Sequence, residues 1–229
     1  MTTSGISTIE KVFVKTGRIT SVRAWDGGKL HELHLHLPDV HFDEWNRTQS
    51  IKCRISSLHY SDYSPAMWDE DEKTCTLYID TSHAGKGSVW TRAQRRGDYF
   101  YYLKIEPESH FPVSEKRLVF LGDQTAIGHF CALQQLAGDA PSIKGYLVVN
   151  DLRTANSLRE NCPWLPLQPV VGYQSLLDYT TALVTEHPSE QSSDVFYVVG
   201  NAQLVVAIRR LLKANGIEGR FIKSKGFWQ

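Results

Sequence analysis

The sequence has no excess of either charge, no long apolar run and no closely spaced cysteines. Its 229 residues carry 25 Lys and Arg against 25 Asp and Glu, so the formal net charge is zero. Broad nucleic-acid binding needs a large basic excess, and we therefore expect no nucleic-acid partner. No apolar run approaches the ~20 residues of a membrane span, and the N-terminus lacks the apolar core of a signal peptide. We expect a soluble, cytoplasmic protein without a membrane partner.

The sequence offers little for a disulfide framework or a metal site. The four cysteines are widely spaced, and none belongs to a CxxC pair: Cys53, Cys75, Cys131 and Cys162. We expect reduced and mostly buried thiols. His34 and His36 would share one face of a strand, as a pair of metal ligands would. Because no third ligand follows at a supporting spacing, solvent-facing histidines are the better interpretation.

The first half of the sequence alternates apolar and polar residues in short runs, which predicts β-strands. An alternating pattern runs from Lys11 to Trp25. Further strand candidates are Leu30–Leu37, Ser50–Ser57, Lys73–Asp80 and Tyr99–Ile105, and Ser88–Arg95 is the one helix candidate among them. Several short strands with a single helix are typical of a small antiparallel barrel.

From Arg117 onward, strand patterns and helix patterns alternate. The strand candidates are Leu118–Leu121, Gly145–Val149, Pro169–Val171, Val195–Gly200 and Arg220–Lys223, and the helix candidates are Thr125–Leu136, Leu152–Glu160, Tyr173–Thr185 and Ala202–Asn215. This alternation predicts a parallel sheet covered on both faces. The polar segment Glu106–Lys116 carries two prolines and is the best linker. We therefore predict an α+β chain of two domains, an antiparallel barrel over residues 1–113 and an α/β domain over residues 114–229.

The segment Leu118–Leu136 lies at the change between the two patterns. It is predicted to run from a buried strand through a sharp turn at Gly122-Asp123 into a helix, with Asp123 or Thr125 as the N-cap. Ligands of parallel sheets bind beyond the carboxyl ends of the strands, where helix N-termini favour phosphate. Gly122 and Gly200 both lie at the carboxyl end of a predicted strand, so both mark candidate ligand positions.

Three short segments carry the functional signal: Asp62–Pro65 (DYSP), His83–Trp90 (HAGKGSVW) and Gly122–Ala126 (GDQTA). They resemble the Arg-x-Tyr-Ser/Thr, the His-Gly…Gly-Pro-Ala-Ser-x-Trp and the Gly-Asp-Glu-Thr-Ala motifs of the siderophore-interacting proteins. That family consists of FAD-dependent ferric-siderophore reductases in the ferredoxin-reductase superfamily. The resemblance spans most of the chain, from about Lys15 to Trp228, and implies the two-domain fold of that superfamily.

The resemblance implies a FAD site on the barrel domain. From the first segment it assigns Tyr63, Ser64 and Pro65 to FAD. From the second it assigns the loop that cradles the FAD pyrophosphate: His83, Gly85, Gly87, Ser88 and Trp90. Glycines let backbone N–H groups approach phosphate, and a helix N-terminus adds a favourable field. Ser61 stands where the family has a phosphate-binding arginine, so FAD binding should weaken unless Arg54, Lys86 or Arg92 substitutes.

The third segment implies a wall between the flavin and the electron donor. The resemblance assigns three of its residues to FAD: Asp123, Thr125 and Ala126. It assigns four residues to the donor, two of them from Val198–Asn201, which resembles the family's Ala-Gly-Glu: Gly122, Gln124, Gly200 and Asn201. Gln124 and Asn201 replace family carboxylates with amides, which bring hydrogen bonds but no charge. The donor therefore stays open between NAD(P)H and ferredoxin.

For the substrate, the resemblance points to basic residues that meet an anionic ferric siderophore: Lys52, Lys223 and Lys225. Ordinary solvated lysines fit these positions equally well. We predict a monomeric FAD-dependent ferric-siderophore reductase, in which electrons pass from NAD(P)H or ferredoxin through FAD to Fe(III). Such a reaction requires no general acid, base or nucleophile. Two alternatives remain, a flavin reductase or other FAD oxidoreductase, and a non-enzymatic siderophore- or partner-binding protein that has lost the flavin.

Overall fold

The chain forms two compact units, Met1–Ser109 and His110–Gln229. The computed structural model describes residues 13–138, 142–186 and 193–228. The predicted assignment of FAD to residues 1–113 and of the donor to residues 114–229 remains a prediction. Within the described residues, no helix has the length and apolar character needed to cross a lipid bilayer.

The first unit is a seven-stranded antiparallel sheet. Its strands are β1 (Lys15–Trp25), β2 (Leu30–His36), β3 (Gln49–Ser56), β4 (His59–Tyr63), β5 (Pro65–Asp69), β6 (Thr74–Asp80) and β7 (Tyr99–Pro107). They lie in the order β4-β3-β7-β1-β2-β6-β5. β5 also contacts β3, so the sheet curls back on itself, and the predicted barrel is confirmed. One helix, α1 (Lys86–Ala93), follows β6 and begins two residues earlier than predicted.

Alternation of side chains builds the core of this unit. On β2, Leu33 and Leu35 are fully buried, whereas His34 and His36 between and beyond them are partly exposed. Phe100 and Tyr102 follow the same rule on β7. Strands β4 and β5 were not predicted. They are the two edge strands, and buried and exposed residues do not alternate cleanly along either of them.

The second unit is a five-stranded parallel sheet flanked by helices, as predicted. Its strands are β8 (Arg117–Asp123), β9 (Ile143–Val149), β10 (Gln168–Val171), β11 (Asp194–Asn201) and β12 (Ile222–Trp228). The helices are α2 (Ile127–Ala137), α3 (Leu152–Asn161), α4 (Tyr173–Glu186) and α5 (Ala202–Ala214). The order β10-β9-β8-β11-β12 reverses direction between β8 and β11. Sheets of this kind bind ligands at that switch point, beyond the carboxyl ends of the two strands.

Two predictions for this unit were wrong in detail. Gly122 and Asp123 form no sharp turn, because β8 continues through both residues. Gly122 pairs with residues of β9 and β11, and a Cβ at this position would collide with the carbonyl oxygen of Val199. The glycine therefore permits close strand contact. The last strand also differs, since Gly219–Phe221 is a short 3-10 turn and β12 begins at Ile222.

Candidate functional site

The aromatic ring of Tyr63 lies over the start of α1. Tyr63 ends β4, and its ring stacks on that of Trp90, with 6.4 Å between the centroids and 19° between the planes. A Cβ on Gly87 would stand 2.5 Å from the Tyr63 hydroxyl, so the helix reaches this position because residue 87 is glycine. Burial raises the pKa of Tyr63, although hydrogen bonds with the side chains of Ser61 and Thr91 act in the opposite direction. The tyrosine is therefore neutral and half-buried.

The loop before α1 is held by its own side chains. The Gly85 N–H donates to Nδ1 of His83 at 3.0 Å, and the Ser88 hydroxyl donates to the carbonyl of Asp80 at 3.3 Å. Arg92 donates to the carbonyl of Thr81 at 2.7 Å. The N-cap is Gly85, and no side chain of the described residues caps this helix. Ser88 does not cap the helix, since it is buried inside the first turn.

Ser64 and Pro65 differ from Tyr63 in exposure. Both are buried where β4 passes into β5. Their side chains therefore contribute to the packing of the sheet. Lys52, on the neighbouring strand β3, is partly exposed and forms a salt bridge with Asp62 at 3.2 Å.

The three cations that could replace the missing arginine are placed differently. Arg54 is buried on β3, with 7% of its surface exposed. Arg92 donates hydrogen bonds to the carbonyls of Thr81 and His83. Lys86 is exposed at the first position of α1, and its Nζ lies 2.8 Å from Nε2 of His59. A half-buried aromatic ring, a helix start without a side-chain cap and an exposed lysine together fit a flavin nucleotide.

In the second unit, the predicted residues meet at the switch point. The Asp123 carboxylate accepts hydrogen bonds from the N–H and hydroxyl of Thr125 and, through Oδ2, from the Asn201 N–H at 2.7 Å. Gly200 adopts φ 135°, and a Cβ there would stand 2.7 Å from the Asp123 carboxylate. Of the two predicted N-caps, Asp123 and Thr125, it is Asp123 that accepts a capping hydrogen bond, but it caps the 3-10 turn before α2, and Ala126 is the N-cap of α2 itself. Gln124 and Ala126 are buried in the 3-10 turn that follows.

Asn201 also caps a helix. Its Oδ1 accepts hydrogen bonds from the N–H groups of Gln203 and Leu204, at 2.9 and 3.2 Å. Side chains of the chain itself thus cap the 3-10 turn that leads into α2 and the start of α5. A phosphate entering here would compete with Asn201 and approach the negative charge of Asp123.

Lys223 and Lys225 lie on β12, an edge strand of the parallel sheet. They are two residues apart and so share one face. The Lys225 ammonium lies 4.9 Å from the ring centroid of Phe227. Lysines on an edge strand also discourage pairing with another chain, so their presence has an explanation apart from substrate.

Sequence reasoning missed a buried histidine pair in this unit. Nδ1 of His110 lies 2.8 Å from Nε2 of His129, and both residues are buried. The Tyr197 ring meets His110 edge to face, and its hydroxyl donates to the carbonyl of Phe111 at 2.6 Å. Burial, followed by the charges of Lys225 and Lys223, lowers the pKa of His110 to about 4. Burial likewise places the pKa of His129 well below its ordinary value.

The predicted histidine cluster of the first unit forms hydrogen bonds with protein groups. Nε2 of His34 lies 2.8 Å from Oε1 of Glu32, and Nδ1 of the buried His31 lies 2.8 Å from the Thr81 hydroxyl. Burial opposes the charge of Glu32, yet hydrogen bonds from His34 and Arg23 hold its pKa below the usual range. In the part of the chain that the structure describes, no three His, Cys, Asp or Glu side chains are grouped to hold a metal ion. The four cysteines all lie among the described residues, where they are buried and form no disulfide.

Comparison with known proteins places this geometry in a fold family. No protein-family model matches the chain, and no curated protein matches it by sequence. Solved structures do match. The siderophore-interacting protein from Acinetobacter baumannii has a TM-score of 0.74 and 12% identity, over 94% of this chain and 90% of that one.

The chain has the ferredoxin-reductase-like fold. SipS, a siderophore-interacting protein from Aeromonas hydrophila, matches with a TM-score of 0.73 and 16% identity, over 94% of this chain and 91% of its own. The ferredoxin reductase of carbazole 1,9a-dioxygenase matches with a TM-score of 0.75 and 16% identity, over 93% of this chain and 69% of its own. The resemblance to siderophore-interacting proteins that the three segments indicated is thereby confirmed for the fold.

Proposed function

We propose that this chain is a flavoprotein oxidoreductase that binds FAD on its first unit and reduces ferric siderophores. The observation that carries the proposal is the position of Tyr63 over a helix start that has no side-chain cap, within a ferredoxin-reductase-like fold. When bound, FAD would supply the redox chemistry, accepting electrons from a donor and passing them to Fe(III).

In this proposal, the residues of the chain bind FAD and the siderophore and orient them. The neutral ring of Tyr63 provides an aromatic surface for the flavin, and the N–H groups at the start of α1 face its phosphates. Lys52, Lys223 and Lys225 are the candidates for contact with an anionic siderophore, because partly exposed cations attract such a ligand. The Lys52 ammonium would share its charge between Asp62 and the substrate.

The switch point bears on the electron donor. Asp123 and Asn201 already use the N–H groups at the two central strand ends, and Asp123 places a carboxylate between them. A dinucleotide phosphate would gain little there, whereas a protein donor such as ferredoxin needs no phosphate site. This arrangement favours ferredoxin over NAD(P)H.

One series of measurements tests the proposal. The purified full chain is mixed with FAD, and binding is followed by the visible absorbance and fluorescence of the flavin. The loaded protein is then mixed without oxygen with NADH, NADPH or reduced ferredoxin, and afterwards with ferric hydroxamate and catecholate siderophores. We expect uptake of FAD, bleaching by ferredoxin and reoxidation by a ferric siderophore.

The other outcomes identify the alternatives. A chain that takes up no FAD but binds a ferric siderophore would be the non-enzymatic binding protein. A loaded chain that is bleached by a donor, yet reoxidised only by other acceptors, would be a general flavin reductase.

A further inference from the structure

We propose that Lys86 and His59 act together as the diphosphate-binding pair of this site, one from the start of α1 and the other from the start of β4. The inference rests on the proposed function, since it concerns the dinucleotide part of FAD. It commits to one ligand chemistry, a diphosphate joined to a flavin.

The hydrogen bonds of His59 fix its tautomer. Nδ1 lies 2.9 Å from the carbonyl oxygen of Ser57, which only accepts, so Nδ1 carries the hydrogen. Nε2 then presents a lone pair, and the Lys86 ammonium donates to it at 2.8 Å. The imidazole therefore positions the lysine without cancelling its charge.

This arrangement differs from that of two other lysines in the same unit. Lys52 pairs with Asp62 at 3.2 Å, and Lys104 pairs with Glu106 at 2.7 Å. Among the described residues, Lys86 has no carboxylate partner, and its contact is with a second basic group. Two basic groups held together at the surface retain a net attraction for an anion.

The pair also lies on the same face of β4 as Tyr63, the residue proposed to contact the flavin. His59, Ser61 and Tyr63 alternate along β4, so their side chains point to the same side. Lys86 follows Gly85, the N-cap that lacks a side-chain partner, and Gly87 allows the helix to approach the Tyr63 hydroxyl. A ligand stacked on Tyr63 would thus extend its phosphates along this face toward Lys86.

The same geometry suggests how the contacts of the pair would change when a diphosphate binds. A phosphate oxygen would replace Nε2 of His59 as the acceptor for the Lys86 ammonium, which would give a charge-assisted hydrogen bond. The imidazole of His59 would then lie beside the same anion, while Arg54 and Arg92 stay in their present contacts.

The test compares two flavins on the intact chain. FAD carries the diphosphate and riboflavin lacks it, and the affinity for each is measured by quenching of flavin fluorescence. Lys86→Gln should weaken FAD binding about tenfold and leave riboflavin affinity unchanged. Lys104→Gln, which removes a surface lysine of the same unit that pairs with a carboxylate, is the matched control and should change neither affinity.

A double variant tests whether Lys86 and His59 act as a coupled pair or independently. Lys86→Gln and His59→Gln together should lose less FAD affinity than the sum of the single losses, because each side chain depends on the other. Additive losses, or an equal loss of riboflavin and FAD binding in Lys86→Gln, would overturn the inference while leaving the proposed function intact. A wild-type chain that binds neither flavin would refute the proposed function itself.

Discussion

The buried pair of His110 and His129 should make the second unit sensitive to acid. In the folded chain, the pKa of His110 is lowered to about 4, first by burial and then by the charges of Lys225 and Lys223. In the unfolded chain the same side chain has its ordinary pKa of 6.5. Between these two values the unfolded state binds a proton that the folded state does not. Stability therefore falls as the pH drops from about 6.5 to about 4.

The size of this effect follows from the same two pKa values. The gap between 6.5 and about 4, at about 1.4 kcal/mol for each pH unit, amounts to about 3 kcal/mol for His110. His129 adds to this in the same direction, since it is fully buried and its pKa is also lowered. The two rings are hydrogen-bonded, so they titrate as a unit and their contributions do not simply add. A loss of about 3 kcal/mol is a large part of the ~5–15 kcal/mol that stabilises a typical domain.

Urea unfolding at a series of pH values measures this loss. His110→Gln keeps a side chain that forms hydrogen bonds but removes the titrating ring, so the free energy of unfolding should depend less steeply on pH below 6.5 than in wild type. Carboxylates also titrate in this range, and the difference between variant and wild type removes their shared contribution. The control is His41→Gln, which replaces an exposed histidine of the first unit and should keep the wild-type slope. Identical slopes for wild type and His110→Gln would refute the reasoning.

Three further predictions concern the residues of the candidate site. Tyr63→Ala should lower FAD affinity, and an unchanged flavin spectrum and affinity would remove Tyr63 from the site. Gly87→Ala should destabilise the first unit by about 1–3 kcal/mol in urea unfolding, because its Cβ would stand 2.5 Å from the Tyr63 hydroxyl. The further change Tyr63→Phe should recover part of that loss, and no recovery would place the strain elsewhere. Asn201→Ala should cost about 1 kcal/mol through the loss of the α5 cap, whereas Asn201→Asp should keep most of it.

The sequence predicted those parts of the fold in which a local pattern and the long-range contact agree. Strand β6 is an example, since its alternation places Cys75 and Leu77 in the core. Gly122 is the opposite case, because glycine after an apolar run usually indicates a turn. Here the reason for the glycine is the carbonyl of Val199, which is 77 residues away and invisible to any local window.

The candidate site shows the same limit. Tyr63 and the loop before α1 could be proposed from the sequence because short motifs mark them. The histidine pair was missed, since its members are 19 residues apart and belong to no motif. Lys86 was only one of three possible replacements for the arginine, and the choice among them required its partner His59, 27 residues away. The features that the sequence did not predict are therefore side-chain contacts between elements that are distant in the sequence.

The Asp123 carboxylate joins two turns that are 78 residues apart in the sequence. One oxygen closes the turn after β8 and the other holds the N–H that ends β11, so neither strand end can open without releasing the other. The turn before α2 and the start of α5 should therefore form a single opening unit, in which the amide hydrogens of Thr125 and Asn201 exchange with solvent at matching rates. A donor that binds at this edge would change both rates together, and amide exchange would report its arrival even when no electron is transferred.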